Sequence, residues 1–264
     1  MRVHLLNGGT LRPVTGGSFP TQCLLVEHED GPILIEAGMS TAHIANPHMI
    51  SFERHFIRPP LDTQMAVVHQ IRRLGFDPED IHDIVLTHLH SEHATGIMDF
   101  PHARIHVSRT ELDAAMSRSL RSKIIYRRNA FAHGPKWEPH SGRGTWKGVG
   151  GTTEIHRGII AVPTPGHTEG HEAVAVDLGG HWLLHAGDAV YGDLSNTTTT
   201  EVSPLRQYQW VAATNRAQLR RSRRLLRRLF ELPDVIPMCS HLPFTIAGNP
   251  VLVENGVGAR PVGA

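Results

Sequence analysis

The heptapeptide Thr87-His88-Leu89-His90-Ser91-Glu92-His93 places three imidazoles and a carboxylate directly after the apolar run Ile84-Val85-Leu86. Side chains alternate along an extended chain, so His88, His90 and Glu92 project from one side. His93 follows where the chain can turn into a helix. Imidazole and carboxylate together suit a borderline divalent metal, zinc above all. In a chain with 20 His, an H-x-H-x-x-H spacing arises by chance only roughly 0.1 times. Solvated or helix-capping histidines are the alternative reading, and the position at a strand exit favours a site.

Three further candidates sit at strand ends. Thr164-Pro165-Gly166-His167-Thr168-Glu169-Gly170-His171 follows the apolar run Ile159–Val162, and its proline and glycines fix a tight loop that presents His167. Leu184-His185-Ala186-Gly187-Asp188 ends another run, with Gly187 allowing close backbone approach while Asp188 points out of the sheet. His241 follows Val235–Cys239. A lone His or Asp at a strand end is more often structural than catalytic. Occurring together with the heptapeptide, they argue against a purely structural reading.

The elements that must carry these residues are legible from apolar spacing. Strands are expected at Val3–Leu6, Cys23–His28, Ile33–Glu36, Ile84–Thr87, Ile105–Val107, Thr153–His156, Ile159–Val162, Ala173–Leu178, His181–Leu184 and Asp234–Met238. Asp62 is expected to cap a helix with Val67, Val68, Ile71 and Leu74 inside, stopped by Gly75, and Thr110 to cap a second through Met116. Leu194–Ser203 reads as a polar loop. An amphipathic helix is expected from about Leu205 to Glu231, its seven arginines from Arg216 to Arg228 forming a solvated face or an anionic docking stripe. From Arg118 to Gly151 no period persists, which predicts a lid-like insertion or binding loop. Its Tyr126, Phe131, Trp137 and Trp146 either cover an apolar substrate group or pack the segment onto its own domain. Two successive β-rich, helix-ended halves predict an α/β (α+β) fold, a four-layer αβ/βα sandwich, as a single domain over residues 1–264.

Composition narrows the class. Net charge is +1, which implies no general nucleic-acid affinity, and no Gly-x-Gly-x-x-Gly or phosphate loop follows any strand. The N-terminal stretch has no long apolar core, so neither secretion nor a membrane span is expected. Cys23 and Cys239 lie in separate apolar runs and read as reduced core thiols, which fits a cytoplasmic protein. Oligomeric state is not written in the sequence.

In order, His88, His90, Glu92, His93, His167, Asp188 and His241 resemble the H-x-H-x-D-H, His, Asp, His pattern of the metallo-β-lactamase superfamily. Gly31–Met39, Arg109-Thr110-Glu111, Thr164-Pro165-Gly166-His167 and Asp188 followed by Tyr191 are most similar to the N-acyl homoserine lactonase branch. The resemblance implies two zinc ions, with Mn2+ or Fe2+ as substitutes. His88, His90 and His167 would hold one, Glu92, His93 and His241 the other, and Asp188 would bridge. It further implies hydrolysis of a small carbonyl substrate by a hydroxide shared between the metals, a lactone or ester first and a quorum-quenching role with it. Asp188, or a carboxylate near it, would shuttle the proton, and Tyr191 would hydrogen-bond the substrate carbonyl or oxyanion or stand at the pocket rim. A glyoxalase-II-like thioesterase, using Arg127, Arg128 or Lys136 for an anionic carrier, is the alternative enzyme. A catalytically degraded metabolite-binding protein is the alternative of another class. Two departures stand out: Glu92 and Glu36 occupy positions where the family carries Asp. The longer Glu92 could ligate a displaced metal or act as a base beside a weakly held one.

Overall fold

The computed structural model describes residues 1–14, 16–60, 62–191, 213–242 and 252–254. Strands β1 (Arg2–Leu11), β2 (Phe19–His28), β3 (Gly31–Ile35), β4 (Asp83–Val85), β5 (Arg104–Ser108) and β6 (Lys136–His140) form a first sheet with β13 (Leu252–Glu254), in the order β13-β1-β2-β3-β4-β5-β6. Strands β7 (Gly144–Trp146), β8 (Val149–His156), β9 (Ile159–Pro163), β10 (Glu172–Asp177), β11 (Trp182–His185) and β12 (Val235–Met238) form a second, in the order β12-β11-β10-β9-β8-β7. The helices are α1 (Thr41–Ala45), α2 (Arg54–Ile57), α3 (Val67–Arg73), α4 (Ser91–Ala94), α5 (Arg109–Met116), α6 (Leu120–Ile125) and α7 (Arg216–Phe230).

Three apolar layers follow from the alternation of side chains on the strands. Along β2, Leu24 and Val26 join Ile33, Ile35 and Val85 against Ile159, Val174, Val176 and Leu183 of the other sheet. The alternate residues Cys23 and Leu25 face the opposite way, into a core shared with Ile44, Val67, Ile71 and Leu112 from the helices. On the far side of the second sheet, Val162, Ala173, Ala175 and Leu184 pack against Leu226 and Leu229 of α7. A strand buried on both faces reads as a continuous apolar run, as β2 does. The expected four-layer sandwich is the observed one.

Several boundaries differ from expectation for local reasons. Segment 118–151, expected as a lid-like insertion, carries α6, β6 and β7 and extends both sheets: β6 pairs in parallel with β5, and β7 antiparallel with β8. Phe131 and Trp146 are buried in the two helix-side cores, so these aromatics pack the segment onto its own domain. Asp62 caps a short 3-10 turn, Thr63–Met65, and the helix itself starts after Ala66. The second helix is capped by Ser108, whose Oγ accepts the Glu111 amide at 3.1 Å, and Thr110 lies inside the first turn. The Arg-rich helix begins later than Leu205, where Asn215 Oδ1 accepts from the amides of Ala217 and Gln218. Its buried stripe is Leu219, Ser222, Leu226 and Leu229. The polar loop Leu194–Ser203 and the start of that helix as expected, 205–212, lie outside the described residues.

Leu24→Ala, in the layer between the sheets, is expected to lower unfolding stability by about 2–5 kcal/mol. Leu120→Ala, at a 74% exposed position, is expected to stay within about 0.5 kcal/mol of wild type. Urea denaturation of the two variants checks both.

Candidate metal centre

Every residue singled out for metal binding emerges beyond the C-terminal end of a strand. Thr87 and His88 follow β4, His167 follows β9, Asp188 follows β11, and His241 follows β12. His90 then precedes the short helix α4, which carries Glu92 and His93. The structure thus brings together two quartets that share one carboxylate: His88, His90, His167 and Asp188, and Glu92, His93, His241 and Asp188. Within each quartet the potential ligand atoms lie within 4.8 Å of one another.

Asp188 divides its two oxygens between the quartets. Oδ2 lies 3.4 Å from His167 Nε2 and 3.8 Å from His88 Nε2. Oδ1 lies 3.3 Å from both His93 Nε2 and His241 Nε2. His167 Nε2 and His90 Nδ1 face each other at 3.0 Å. Meanwhile His88 Nε2 and His93 Nε2 are buried with no hydrogen-bond partner. Leaving such groups unsatisfied costs roughly 1–3 kcal/mol each, and convergent imidazole nitrogens around a carboxylate are relieved by a cation. The donor set therefore fits divalent metal.

Burial and charge split the centre into unlike halves. Burial, reinforced by the neighbouring imidazoles, holds His88 well below the usual histidine range, and burial does the same for His167. His90 is lowered too, again by burial first. These rings are neutral and offer lone pairs. Burial would also depress His93 and His241, yet Asp188, joined at His93 by Glu36, raises both. Asp188 and Glu92 run the other way: burial would raise them, but the surrounding histidines pull both below the ordinary carboxylate range.

A surrounding ring of contacts fixes these side chains. Thr87 Oγ1 donates to Glu36 Oε1, which leaves it to accept from His88 Nδ1–H at 2.9 Å and turns Nε2 of His88 inward. Glu36, expected as the last residue of its strand, instead leaves it with φ 63°, a left-handed conformation that costs roughly 1–3 kcal/mol in a residue with a side chain. The same Oε1 lies 3.4 Å from His93 Nδ1, so one carboxylate oxygen braces both halves. His241 Nδ1 donates to the Pro20 carbonyl at 2.9 Å. Tyr191 is buried, and its hydroxyl donates to Asp188 Oδ2 instead of standing at a rim.

Two residues here had no role in the sequence reading. His171 accepts the Asp188 backbone N–H on Nε2 at 3.0 Å and meets Thr164 Oγ1 through Nδ1 at 2.9 Å. Burial holds it down to about 3, so it stays neutral and able to accept. Gly187 is what permits this approach, because a Cβ there would lie 2.6 Å from His171 Nε2 at a φ of 53°. Glu111, quoted only as part of a motif, reaches from α5 to accept from Leu89 N–H and Gly170 N–H at 3.0 Å each. It thereby ties the His88–His93 loop of one sheet to the His167–His171 loop of the other. The available signal was positional: a glutamate in the first turn of a helix, beside the buried Leu112. His185, between the motifs, binds the Gln22 carbonyl and the Gly187 amide and takes no part in the quartets.

The model for the metallo-beta-lactamase superfamily matches residues 16–241. The chain belongs to this superfamily. Enzymes of the metallo-beta-lactamase superfamily bind metals, typically zinc, and the two quartets are able to hold metal. A probable metallo-hydrolase of Mycobacterium tuberculosis is 37% identical over 255 residues, covering 92% of this chain and 81% of the relative. An N-acyl homoserine lactonase of Bacillus thuringiensis is 30% identical over 162 residues, 61% of this chain and 59% of the relative. Among solved structures, an N-acyl homoserine lactone hydrolase with N-hexanoyl-L-homoserine at its catalytic metal centre superposes with a TM-score of 0.71 at 24% identity, covering 91% and 92% of the two chains. A dizinc quorum-quenching lactonase superposes with a TM-score of 0.60 at 20% identity, covering 86% and 74%. At these identities the two structures establish the shared fold.

Two outcomes are expected from Glu111. Glu111→Ala frees both loops and should weaken metal affinity about 10–100-fold, read by competition with a chelator. Burial raises the Glu111 carboxyl to about 7. A carboxyl raised on folding contributes stability that is present below its unfolded value and lost as pH climbs through 7. The metal-free wild type should therefore lose more thermal stability than Glu111→Gln between pH 5 and pH 8.

Proposed function

We propose that this protein is a dinuclear zinc hydrolase acting on a small lactone or ester. The observation that supports it most is the division of Asp188, one oxygen toward His88 and His167 and the other toward His93 and His241. Bound there, two metals supply Lewis acidity and a lowered water pKa. The chain's own groups do the rest. His88, His90 and His167 hold the neutral half, and Glu92, His93 and His241 the charged half, with Asp188 between them. Glu92 points its carboxylate into the second quartet while Ser91 Oγ donates to its Oε2 at 3.1 Å, which supports ligation despite its extra methylene. Asp188 touches both halves and can take and return a proton at Oδ1 or Oδ2. Tyr191 passes its hydroxyl from Asp188 Oδ2 to the substrate oxygen, steadying it as charge develops.

The substrate preference rests on the surroundings of the site and on the relatives. Beside Tyr126, whose ring centroid lies 6.1 Å from that of His90, Ser117, Ser119, Ser122, Ile125 and Thr214 line a cleft of about 60 Å³. The cations named for the thioesterase reading each bond to backbone or hydroxyl oxygens of the chain. Arg127 donates to the Ile50 carbonyl, Arg128 to Ala115, Ser117 and Ser122, and Lys136 to the His102 carbonyl, so each is engaged in holding its own backbone. The lactonase relatives support a lactone as first substrate to try.

The test is a panel of short-chain lactones, esters, thioesters and β-lactams, run beside metal quantification. Two zinc equivalents at this centre with lactone or ester turnover are expected, Glu92→Ala leaving one there and Tyr191→Phe losing kcat about 100-fold with KM little changed. Preferential thioester turnover would sink the substrate assignment. A single equivalent unaffected by Glu92→Ala would sink the dinuclear one. No turnover of anything after zinc loading would leave the metabolite-binding alternative standing.

A further inference from the structure

At the opposite end of β4 from the metal centre lies a second group of ligand-type side chains. Asp83 begins β4, about 16 Å of extended chain from His88. His106 of β5 stands opposite Val85, on the face that meets the second sheet, and His156 ends β8 in that sheet. One atom from each lies within 4.8 Å of the others. His106 Nε2 is 2.6 Å from Asp83 Oδ1, and His156 Nε2 is 3.4 Å from Asp83 Oδ2. The side chains of Asp83, His106 and His156 are 7%, 14% and 14% exposed, so the site is walled but open to solvent.

We propose that Asp83, His106 and His156 form a further binding site for a divalent transition metal, of the zinc, nickel or copper class, that clips the two sheets together. His156 is already arranged as a ligand. Its Nδ1 faces the Asp30 carboxylate at 3.3 Å, an arrangement that places the ring proton there and leaves Nε2 as a bare lone pair. That Nε2 is buried and has no hydrogen-bond partner. Two imidazoles and one carboxylate make a three-ligand set that a water completes to a tetrahedron. The neighbouring His28 is the weaker candidate, because its Nε2 meets the Arg157 carbonyl and its Nδ1 accepts the Asp30 amide. Arg104 is the competitor. Its half-exposed guanidinium grips Asp83 with Nε at 2.8 Å from Oδ1 and the terminal nitrogen at 2.6 Å from Oδ2. It must swing aside as the ion enters.

Equilibrium dialysis of the full chain against Zn2+, with the main centre already loaded, tests this. Wild type is expected to bind one further equivalent, which also raises its melting temperature. His106→Ala/His156→Ala should lose that equivalent and keep the main-centre metal, while His88→Ala/His167→Ala should keep it. Should the double variant fold poorly, His156→Gln alone is expected to show the same loss. Arg104→Ala, with the competing charge removed, should bind it at least ~10-fold more tightly. The proposal is overturned if all zinc disappears with His88 and His167. It is equally overturned if His156→Gln leaves the count unchanged, or if Arg104→Ala binds no more tightly than wild type.

Discussion

A carboxylate with no solvent contact, Asp188, sits between four imidazole nitrogens, and the placement of the surrounding loops follows from keeping it there. Burying a charge of this kind is expensive unless it is paired on every side. His93 and His241 pair one oxygen; Tyr191 and His167 approach the other. The backbone of Asp188 is held as well, by a histidine kept neutral through its own burial, and only glycine at position 187 lets that histidine come close enough. A shift of one element would strand charge in the interior, so the carboxylate constrains elements far apart in sequence.

Those elements come from both sheets. His88, His90, Glu92 and His93 hang from the first, whereas His167, Asp188 and His241 hang from the second. The relative position of the sheets therefore sets the separation of the two ligand sets, and the apolar layer of Leu24, Val26, Ile35, Val174 and Val176 sets the position of the sheets. Glu111 repeats the linkage next to the site, one oxygen on each loop. Glu36 accepts a strained backbone so that its side chain can reach Thr87 and His93 together. The chemistry proposed for the centre thus depends on packing that no ligand touches.

How much of this could be read beforehand depended on whether the information was local. The residues of the two quartets were legible as candidates because residue type, spacing and position after an apolar run are all local, and the sandwich was legible because its central strands are buried and strongly patterned. Segment 118–151 was not legible. Its strands β6 and β7 are short edge strands with mixed exposure, and their pairing with β5 and β8 is set by tertiary contact, not by an alternating pattern. Glu111 and His171 were missed for a related reason. A buried glutamate that accepts two distant amides looks, in sequence, like any helix-capping glutamate, and His171 looks like one more histidine in a rich chain. Arg127, Arg128 and Lys136 looked available as free cations because their carbonyl partners lie up to 77 residues away.

The central claim is that Asp188 stands between two metal ions. Anomalous diffraction at the zinc edge from crystals of the zinc-loaded protein tests it directly. The account predicts two peaks about 3.5–4 Å apart flanking the Asp188 carboxylate, one within reach of His88, His90 and His167 and the other within reach of Glu92, His93 and His241. A single peak at this centre, or a pair in which Asp188 touches only one ion, would contradict it.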